Sequence, residues 1–301
     1  MKGMELSRLY YDEVINPFLQ KNVQEYVDRI AAGLVGEGSE CLGFDDVISQ
    51  DHDWGANICL WLDDDDYGKI GEMLQRQLLQ LPGDFHGYPV NWIPGRNGVM
   101  AISAFFKKYL NKEGKLLTIG EWRSVPESYL ATASNGEVFC DPLGKFSEVW
   151  NDLRLGYPDD IRLKKLAARC MTAGQAGQYN FPRLLQRQER VAAELAKAEF
   201  IRAVISIVYL LNNRYTPFYK WMHHGMRLLP IMGMEMASRI ERLLQADNPQ
   251  ADIEEICQIL VREFHRQHIS EIEDNFMVNQ GNEIHRHIKN EMLRGTNPWV
   301  E

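Results

Sequence analysis

The residue pattern changes at about residue 142, and this change constrains the fold more than any other feature of the sequence. Before it, short apolar runs such as 29–35 and 57–62 alternate with stretches that carry apolar residues at helical spacing. After it, nearly every stretch has helical spacing. We therefore predict an α+β chain. An α/β domain with a small mixed β-sheet would cover residues 1–142, and an all-α helical bundle would cover residues 143–301.

The same pattern predicts individual elements. Four segments of the first domain have the composition of β-strands: 29–35, 51–62, 87–93 and 98–102. Asn135-Gly136 is a two-residue hairpin signal inside the segment 131–139. The second domain is predicted to hold helices at 145–156, 158–176, 181–213, 216–228, 230–245, 250–272 and 280–294.

Charge and cysteine content exclude several classes of protein. A formal net charge of −9 argues against non-specific nucleic-acid binding, which depends on positive charge. Five cysteines without a Cys-x-x-Cys pair indicate reduced thiols, and we expect a cytoplasmic protein. No signal peptide is apparent, and the apolar run 200–211 is too short to span a bilayer, so no membrane partner is expected. The oligomeric state stays open.

The segment 36–55 carries the residues with the clearest chemical meaning. Gly38 lets the backbone approach a ligand, and the hydroxyl of Ser39 is a donor for a phosphate oxygen. Asp51 and Asp53 alternate along the predicted strand 51–62, so they would project from one face while His52 points away and is interpreted as structural. Two neighbouring carboxylates repel unless water or a shared cation separates them. This pattern is typical of metal-dependent nucleotidyl transfer.

Gly38-Ser39 followed by Asp51-x-Asp53 resembles the signature of the DNA polymerase β-like nucleotidyltransferase superfamily. The fuller wording of 36–55 resembles that of an uncharacterised bacterial family within it, a domain of unknown function. The segments 136–144 and 213–221 are also similar to that family, so the resemblance covers roughly residues 5–230.

The resemblance implies transfer of a nucleoside monophosphate, most simply AMP from Mg-ATP, to a hydroxyl of a small molecule or a protein. It implies Mg²⁺ (or Mn²⁺) as cofactor, with Asp51 and Asp53 as catalytic metal ligands and Gly38 and Ser39 as nucleotide-binding residues. The superfamily usually has a third carboxylate on a neighbouring strand. The matching segment, 98–103, has no acid and carries Met100 instead.

This departure leaves three interpretations open. In the first, another acid completes the site, such as Asp141, Glu121 or one from the helical domain. In the second, the protein is a catalytically degenerate nucleotide-binding, regulatory or interaction protein. In the third, the neighbouring strand lies elsewhere than 98–103. Asp45 and Asp46 are interpreted as residues that order the loop around the site.

The helical domain offers further nucleotide-binding candidates around one turn. Lys220 or Arg214 would neutralise the triphosphate, and Tyr215 or Trp221 would stack on a base or a substrate ring. The alternative is a helix junction whose long cations reach past apolar side chains to the solvent. The residues alone do not decide between the two.

Overall fold

The short apolar runs of the first 142 residues form the strands of a computed structural model that describes residues 1–51, 53–246 and 248–301. A four-stranded sheet has the order β5-β2-β1-β6. Strand β2 is antiparallel to β1 and parallel to β5, and β6 is antiparallel to β1. The strands, including the two-residue pair β3 and β4, are β1 Ala31–Leu34, β2 Cys59–Leu62, β3 Asp84–Phe85, β4 Tyr88–Pro89, β5 Gly98–Ala101 and β6 Glu137–Cys140.

The strand register brings one end of every strand of the four-stranded sheet to the same edge. Gly33 in β1 is opposite Cys59, where β2 begins, and Cys59 is opposite Gly98, where β5 begins. Leu34 in β1 is opposite Glu137, where β6 begins. The loop after β1 and the loops before β2, β5 and β6 therefore lie along this edge, which we call the loop edge. The loop edge positions the candidate site.

Two of the predicted strand assignments are wrong. Strand β2 covers only Cys59–Leu62, whereas the sequence predicted 51–62. The preceding residues are held in a loop, where the side-chain amide of Asn57 donates to the backbone oxygen of Asp53 at 2.9 Å. The predicted strand 87–93 shrinks to the two residues of β4.

The hairpin predicted at Asn135-Gly136 is also wrong. A helix, Glu127–Ala133, precedes the turn, so the turn joins that helix to β6 rather than joining two strands. Strand β6 pairs instead with β1, which lies far away in the sequence. Local turn signals do not specify such long-range partners.

Helices cover the sheet and bury its apolar residues. The Trp61 ring of β2 stacks on Phe146 with ring centroids 3.8 Å apart, and both side chains are buried. Helical segments of this part of the chain are Gly3–Tyr10, Tyr11–Ile15, Asn16–Asn22, Gln24–Arg29, Ser39–Leu42, Ile48–Asp51, Asp64–Asp66, Tyr67–Gly71, Glu72–Leu78, Ile102–Leu110, Ile119–Ser124, Glu127–Ala133 and Lys145–Arg154. This arrangement, together with the helical remainder of the chain, makes the fold class α+β, as predicted.

Two compact units divide the chain at Leu155 and Gly156. The change in sequence pattern at 142 thus falls inside the first unit, because the helix Lys145–Arg154 belongs to it and supplies Phe146 to the core over Trp61. Composition records where strands stop appearing, whereas compactness records which residues pack together.

The second unit is helical throughout its described regular structure. Buried apolar residues recur along its longest helix, Arg190–Leu211, from Phe200 to Leu211, which makes that helix its central element. The remaining helical segments are Asp159–Ala173, Gly174–Asn180, Phe181–Gln186, Tyr219–Met226, Gly233–Gln245, Pro249–Arg266, Met277–Arg286 and Glu291–Arg294. In the described parts of the chain, no helix is long and apolar enough to cross a membrane.

Candidate functional site

A glycine-rich turn follows β1 and lies at the loop edge. Gly38 has φ +125° and ψ 148°, a backbone conformation that essentially only glycine adopts. A Cβ atom placed at Gly38 would lie 2.4 Å from a carboxylate oxygen of Glu40. Ser39 begins the short helix Ser39–Leu42 directly after it. The turn therefore combines a glycine backbone, a hydroxyl and a carboxylate within three residues.

Arg96 connects this turn to the Asp-x-Asp segment. Its Nη2 donates to Oε1 of Glu40 at 3.2 Å, and its Nη1 donates to Oδ2 of Asp53 at 3.0 Å. Arg96 lies in the loop before β5, Glu40 follows β1 and Asp53 precedes β2, so all three come from the loop edge. We call Glu40, Asp53 and Arg96 the edge cluster. One guanidinium thus lies between two carboxylates.

The two carboxylates of the edge cluster have different surroundings. The Glu40 side chain is 3% exposed, whereas that of Asp53 is 50% exposed. Burial raises the pKa of Glu40 above its ordinary value, and the guanidinium of Arg96 acts in the opposite direction. Glu40 is therefore a buried acid that Arg96 keeps paired, while the carboxylate of Asp53 also reaches solvent.

The structure does not place Asp51 and Asp53 on a strand, contrary to the prediction. Asp51 ends a short 3-10 segment, Ile48–Asp51, and Asp53 has φ +58° in the loop that follows. The alternation argument that set both carboxylates on one face therefore does not apply. His52, interpreted as structural from the sequence, lies outside the described residues. Whether Asp51 and Asp53 act in catalysis stays a prediction.

Asp45 and Asp46 order the loop, as the sequence predicted. Asp45 is buried, and its Oδ2 accepts from the backbone N–H of Gly3 at 2.8 Å and from Nε1 of Trp54 at 3.1 Å. Oδ1 of Asp46 accepts from the backbone N–H of Ser49 at 3.0 Å. These bonds hold the chain between Gly38 and Asp53.

Two acids that the sequence suggested for the missing third carboxylate, Asp141 and Glu121, have hydrogen-bond partners of their own. Strand β5 contains no acid, and Met100 is opposite Trp61 of β2. Oδ2 of Asp141 accepts from the backbone N–H of Ser147 at 2.7 Å, at the start of a helix. Glu121 forms a capping box with Thr118. Glu40, which the sequence analysis had not selected, is the acid that shares Arg96 with Asp53.

The described residues of the loop edge do not form a complete metal-binding site. Among the described residues, no three or more His, Cys, Asp or Glu side chains are grouped so that they could hold a metal ion. Asp53, the predicted ligand, has one oxygen paired with Arg96. Mg²⁺ is commonly held by one or two protein carboxylates together with substrate phosphates. A single half-exposed carboxylate of this kind is compatible with an ion that substrate phosphates also hold.

Two further residues of the edge were missed from the sequence. Lys108 lies 2.7 Å from Oε1 of Glu37, and its Nζ donates to the backbone oxygen of Gly95 at 2.9 Å. Arg96, in the loop before β5, was not selected from the sequence either. The usable signal was positional, because a loop that immediately precedes a strand parallel to β2 lies beside the start of β2.

The predicted contacts of the helical domain belong to the second unit. Arg214 and Lys220 are exposed, and Nζ of Lys220 lies 5.2 Å from the centre of the Trp221 ring. Tyr215 is buried, and its ring packs edge-to-face on Tyr157 with centroids 4.8 Å apart. A nucleotide-binding role for Arg214, Tyr215 and Lys220 stays a prediction.

Part of the chain matches a protein family. A family described as a domain of unknown function (DUF4037) matches residues 122–222, less than half of the 301-residue chain. The match includes 136–144 and 213–221, two of the three segments that carry the sequence resemblance. It does not include the third segment, 36–55. Comparison with curated proteins found no match.

One solved structure is similar to the chain, a nucleotidyltransferase-like protein from Exiguobacterium sibiricum. The similarity covers 92% of this chain and 81% of that protein, at 10% sequence identity and a TM-score of 0.39. A similarity of this size is no guide to the site.

Proposed function

We propose that the first unit binds a nucleoside triphosphate at the loop edge and transfers its nucleoside monophosphate to a hydroxyl group. The simplest donor is Mg-ATP, which would transfer AMP, and the acceptor is a small molecule or a protein. The observation that carries this proposal is the meeting of Gly38, Glu40, Arg96 and Asp53 at one edge of the sheet. The resemblance of 36–55 to nucleotidyltransferases supports it.

In this proposal the chain's own residues hold the phosphates. The glycine conformation at Gly38 lets phosphate oxygens approach the backbone, and the hydroxyl of Ser39 donates to one of them. Arg96 has the planar fork that matches two phosphate oxygens. Its Nη1 leaves Asp53 for the phosphate when the nucleotide binds. Asp53, half-exposed, then becomes available as a ligand.

Mg²⁺ (or Mn²⁺) enters as part of the triphosphate substrate, with Asp51 and Asp53 as the carboxylates that would hold it. Bound there, the ion would neutralise charge on the phosphate oxygens. Glu40 keeps a separate role. Its buried carboxylate holds Arg96 through Nη2 at 3.2 Å, so the guanidinium stays at the edge after its contact with Asp53 opens.

A second candidate is a nucleotide-binding or regulatory protein that does not transfer. Two observations favour it: β5 contains no acid, and Asp53 is paired with Arg96. Both candidates bind the same ligand at the same edge, so they differ only in the chemical step. For either one we propose a cytoplasmic location, because the cysteines in the described parts of the chain are free thiols, which suits a reducing compartment.

The test is calorimetric binding of each nucleoside triphosphate, with and without Mg²⁺, to the wild type, Asp53→Asn and Asp65→Asn. Asp65 is an exposed acid outside the edge cluster and serves as the matched control. We expect Mg²⁺-dependent binding that Asp53→Asn weakens by at least about 10–100-fold, the loss typical when a residue that supports a metal ligand is removed. Asp65→Asn should bind as the wild type does. Equal binding by all three proteins would contradict the proposed site.

Transfer is then tested by pyrophosphate release with pooled hydroxyl acceptors. Release that requires an acceptor and is lost in Asp53→Asn supports the transferase. Mg²⁺-dependent binding without release from any pool supports the second candidate.

A further inference from the structure

A row of cations lies inside the second unit, on the helix Asp159–Ala173. Lys164 and Lys165 are buried on this helix, and Arg169 follows one turn after Lys165. Charged side chains are almost never fully buried unless they are paired, because removing them from water is costly. The burial of the two lysines therefore requires oxygen partners nearby.

The partners of these cations are a carboxylate, a hydroxyl group and a backbone oxygen. Nζ of Lys165 donates to Oε2 of Glu301 at 2.9 Å, and Nη1 of Arg169 pairs with Oε1 of the same carboxylate. Nε of Arg169 donates to Oγ of Ser206 at 3.0 Å. Nζ of Lys164 donates to the backbone oxygen of Asn297 at 2.6 Å. The two oxygens of one carboxylate are thus each held by a different cation.

The hydrogen-bonded groups around the cations extend into the segment that the sequence analysis selected for nucleotide contacts. The hydroxyl of Thr216 donates to Oγ of Ser206 at 3.3 Å, and both side chains are buried. Tyr215, next to Thr216, packs on Tyr157, and Nζ of Lys165 lies 5.3 Å from the centre of the Tyr157 ring. Hydroxyl groups and aromatic rings therefore surround these cations. We call Lys165, Arg169, Ser206 and Thr216 the helical oxyanion cluster.

Glu301 enters this cluster from a weakly buried segment. Its side chain is 29% exposed, and the preceding Trp299 and Val300 are 44% and 53% exposed. The segment is held by the carboxylate of Glu301 and by the bond from Lys164 to the backbone oxygen of Asn297, while the two neighbours of Glu301 keep about half of their surface in solvent. Releasing the carboxylate would cost contacts that another oxyanion can replace.

We propose that the helical oxyanion cluster is a binding site for the carboxylate or phosphate group of a small molecule, and that Glu301 is its exchangeable internal occupant. The carboxylate of Glu301 stands in for the oxyanion of the ligand. Binding of the ligand releases Glu301 from Lys165 and Arg169. This inference does not depend on nucleotide binding in the first unit, because none of its residues belongs to that unit.

The test uses inorganic phosphate and acetate as probes, titrated calorimetrically at constant ionic strength. The proteins are the wild type, Glu301→Gln and Glu291→Gln. Glu291 lies in the same part of the chain with a side chain that is 91% exposed, and it controls for loss of one negative charge. We expect Glu301→Gln to bind at least one probe about tenfold more tightly than the wild type, because an occupant present nine-tenths of the time reduces apparent affinity by that factor. Glu291→Gln should match the wild type.

Adding Lys165→Gln to the Glu301→Gln protein locates the gain. If binding returns to the level of the wild type or below, the site is the helical cluster. If this double variant does not fold, Arg169→Gln replaces Lys165→Gln, because Arg169 is only half-buried. Phosphate binding alone assigns a phosphate ligand, and binding of both probes assigns a general oxyanion site. No gain in Glu301→Gln with either probe, or a gain that neither cation variant removes, would overturn the proposal.

Discussion

The two charge clusters of this protein have opposite arrangements of charge. In the edge cluster, one guanidinium lies between the carboxylates of Glu40 and Asp53. In the helical oxyanion cluster, one carboxylate lies between the cations of Lys165 and Arg169. The first stands on loops at the end of a sheet, and the second stands on a helix. In the proposals above, an oxyanion of the ligand replaces Glu301 in the second cluster, whereas Arg96 stays in the first cluster and binds phosphate.

The difference between them lies in what holds the middle group. Arg96 is tied to a buried acid, Glu40, so it can release Asp53 and stay in place. The carboxylate of Glu301 is held by Lys165 and Arg169, and its side chain is 29% exposed, so a competing oxyanion can reach the same cations. We therefore propose that the edge cluster takes a ligand that brings a cation and phosphate together, and that the helical oxyanion cluster takes a simple oxyanion. Four experiments would break or sharpen this comparison.

The largest effect is expected from a buried cation of the helical cluster. Lys165→Gln should lower the free energy of unfolding by about 3 kcal/mol, because it removes one partner of a largely buried ion pair. Lys220→Gln, at an exposed cation of the same unit, should change it by less than about 0.5 kcal/mol. Urea unfolding measures both. Similar losses in the two variants would mean that burial does not distinguish these cations.

A smaller loss is expected from the glycine turn of the edge cluster. Gly38→Ala should lower the free energy of unfolding by about 2 kcal/mol, since it forces a glycine-only conformation and brings a Cβ atom against the Glu40 carboxylate. Gly43→Ala is the matched control. Its φ is +72°, and a Cβ atom there would meet nothing within 4 Å, so only about 1 kcal/mol should be lost. Equal losses would remove the close contact with Glu40 from the account.

The acids of the first unit should respond to pH in opposite directions. Burial raises the pKa of Glu40 in the folded protein, so folding favours the protonated form of this side chain relative to the unfolded chain. The stability of the wild type relative to Glu40→Gln should therefore fall as pH rises above about 4.5. Lys112 and two backbone N–H groups lower the pKa of Glu121 to about 2, so the wild type should lose stability relative to Glu121→Gln as pH falls from about 4.5 towards 2.

Urea unfolding across pH 3–8, a range chosen around the ordinary glutamate pKa of about 4.3, checks both trends. Arg96→Gln should steepen the fall linked to Glu40, because the guanidinium opposes the effect of burial on its pKa. A flat difference between the wild type and Glu40→Gln would show that Glu40 is not held as a buried acid.

The smallest effect on stability is expected at Asp53. Its side chain is half-exposed, and exposed ion pairs contribute about 0–1 kcal/mol. Asp53→Asn should therefore unfold within about 1 kcal/mol of the wild type while losing nucleotide binding. Thermal unfolding, measured on the same sample as the binding, checks this. A large loss of stability would make Asp53 a structural residue and weaken its assignment to ligand binding.

Local patterns predicted part of the structure and failed where partners are distant. The strand β1 and the α+β class followed from apolar spacing, which depends on neighbouring residues. The hairpin at Asn135-Gly136 failed because β6 pairs with β1 instead, and the strand 51–62 failed because Asn57 and its neighbours are held in a loop. The segment 36–55 was found through its resemblance, but Arg96 was not, since nothing local marks a turn arginine as the partner of Asp53.

The sequence by itself determined the order of helices and strands in broad outline and the glycine and acids of the segment 36–55. Those features depend on spacing, backbone freedom and charge along the chain. Only the tertiary structure decided that Arg96 joins Glu40 to Asp53, and that Glu301 lies between Lys165 and Arg169. Both arrangements bring together residues that are far apart in sequence, and strand register and helix packing set which of them meet.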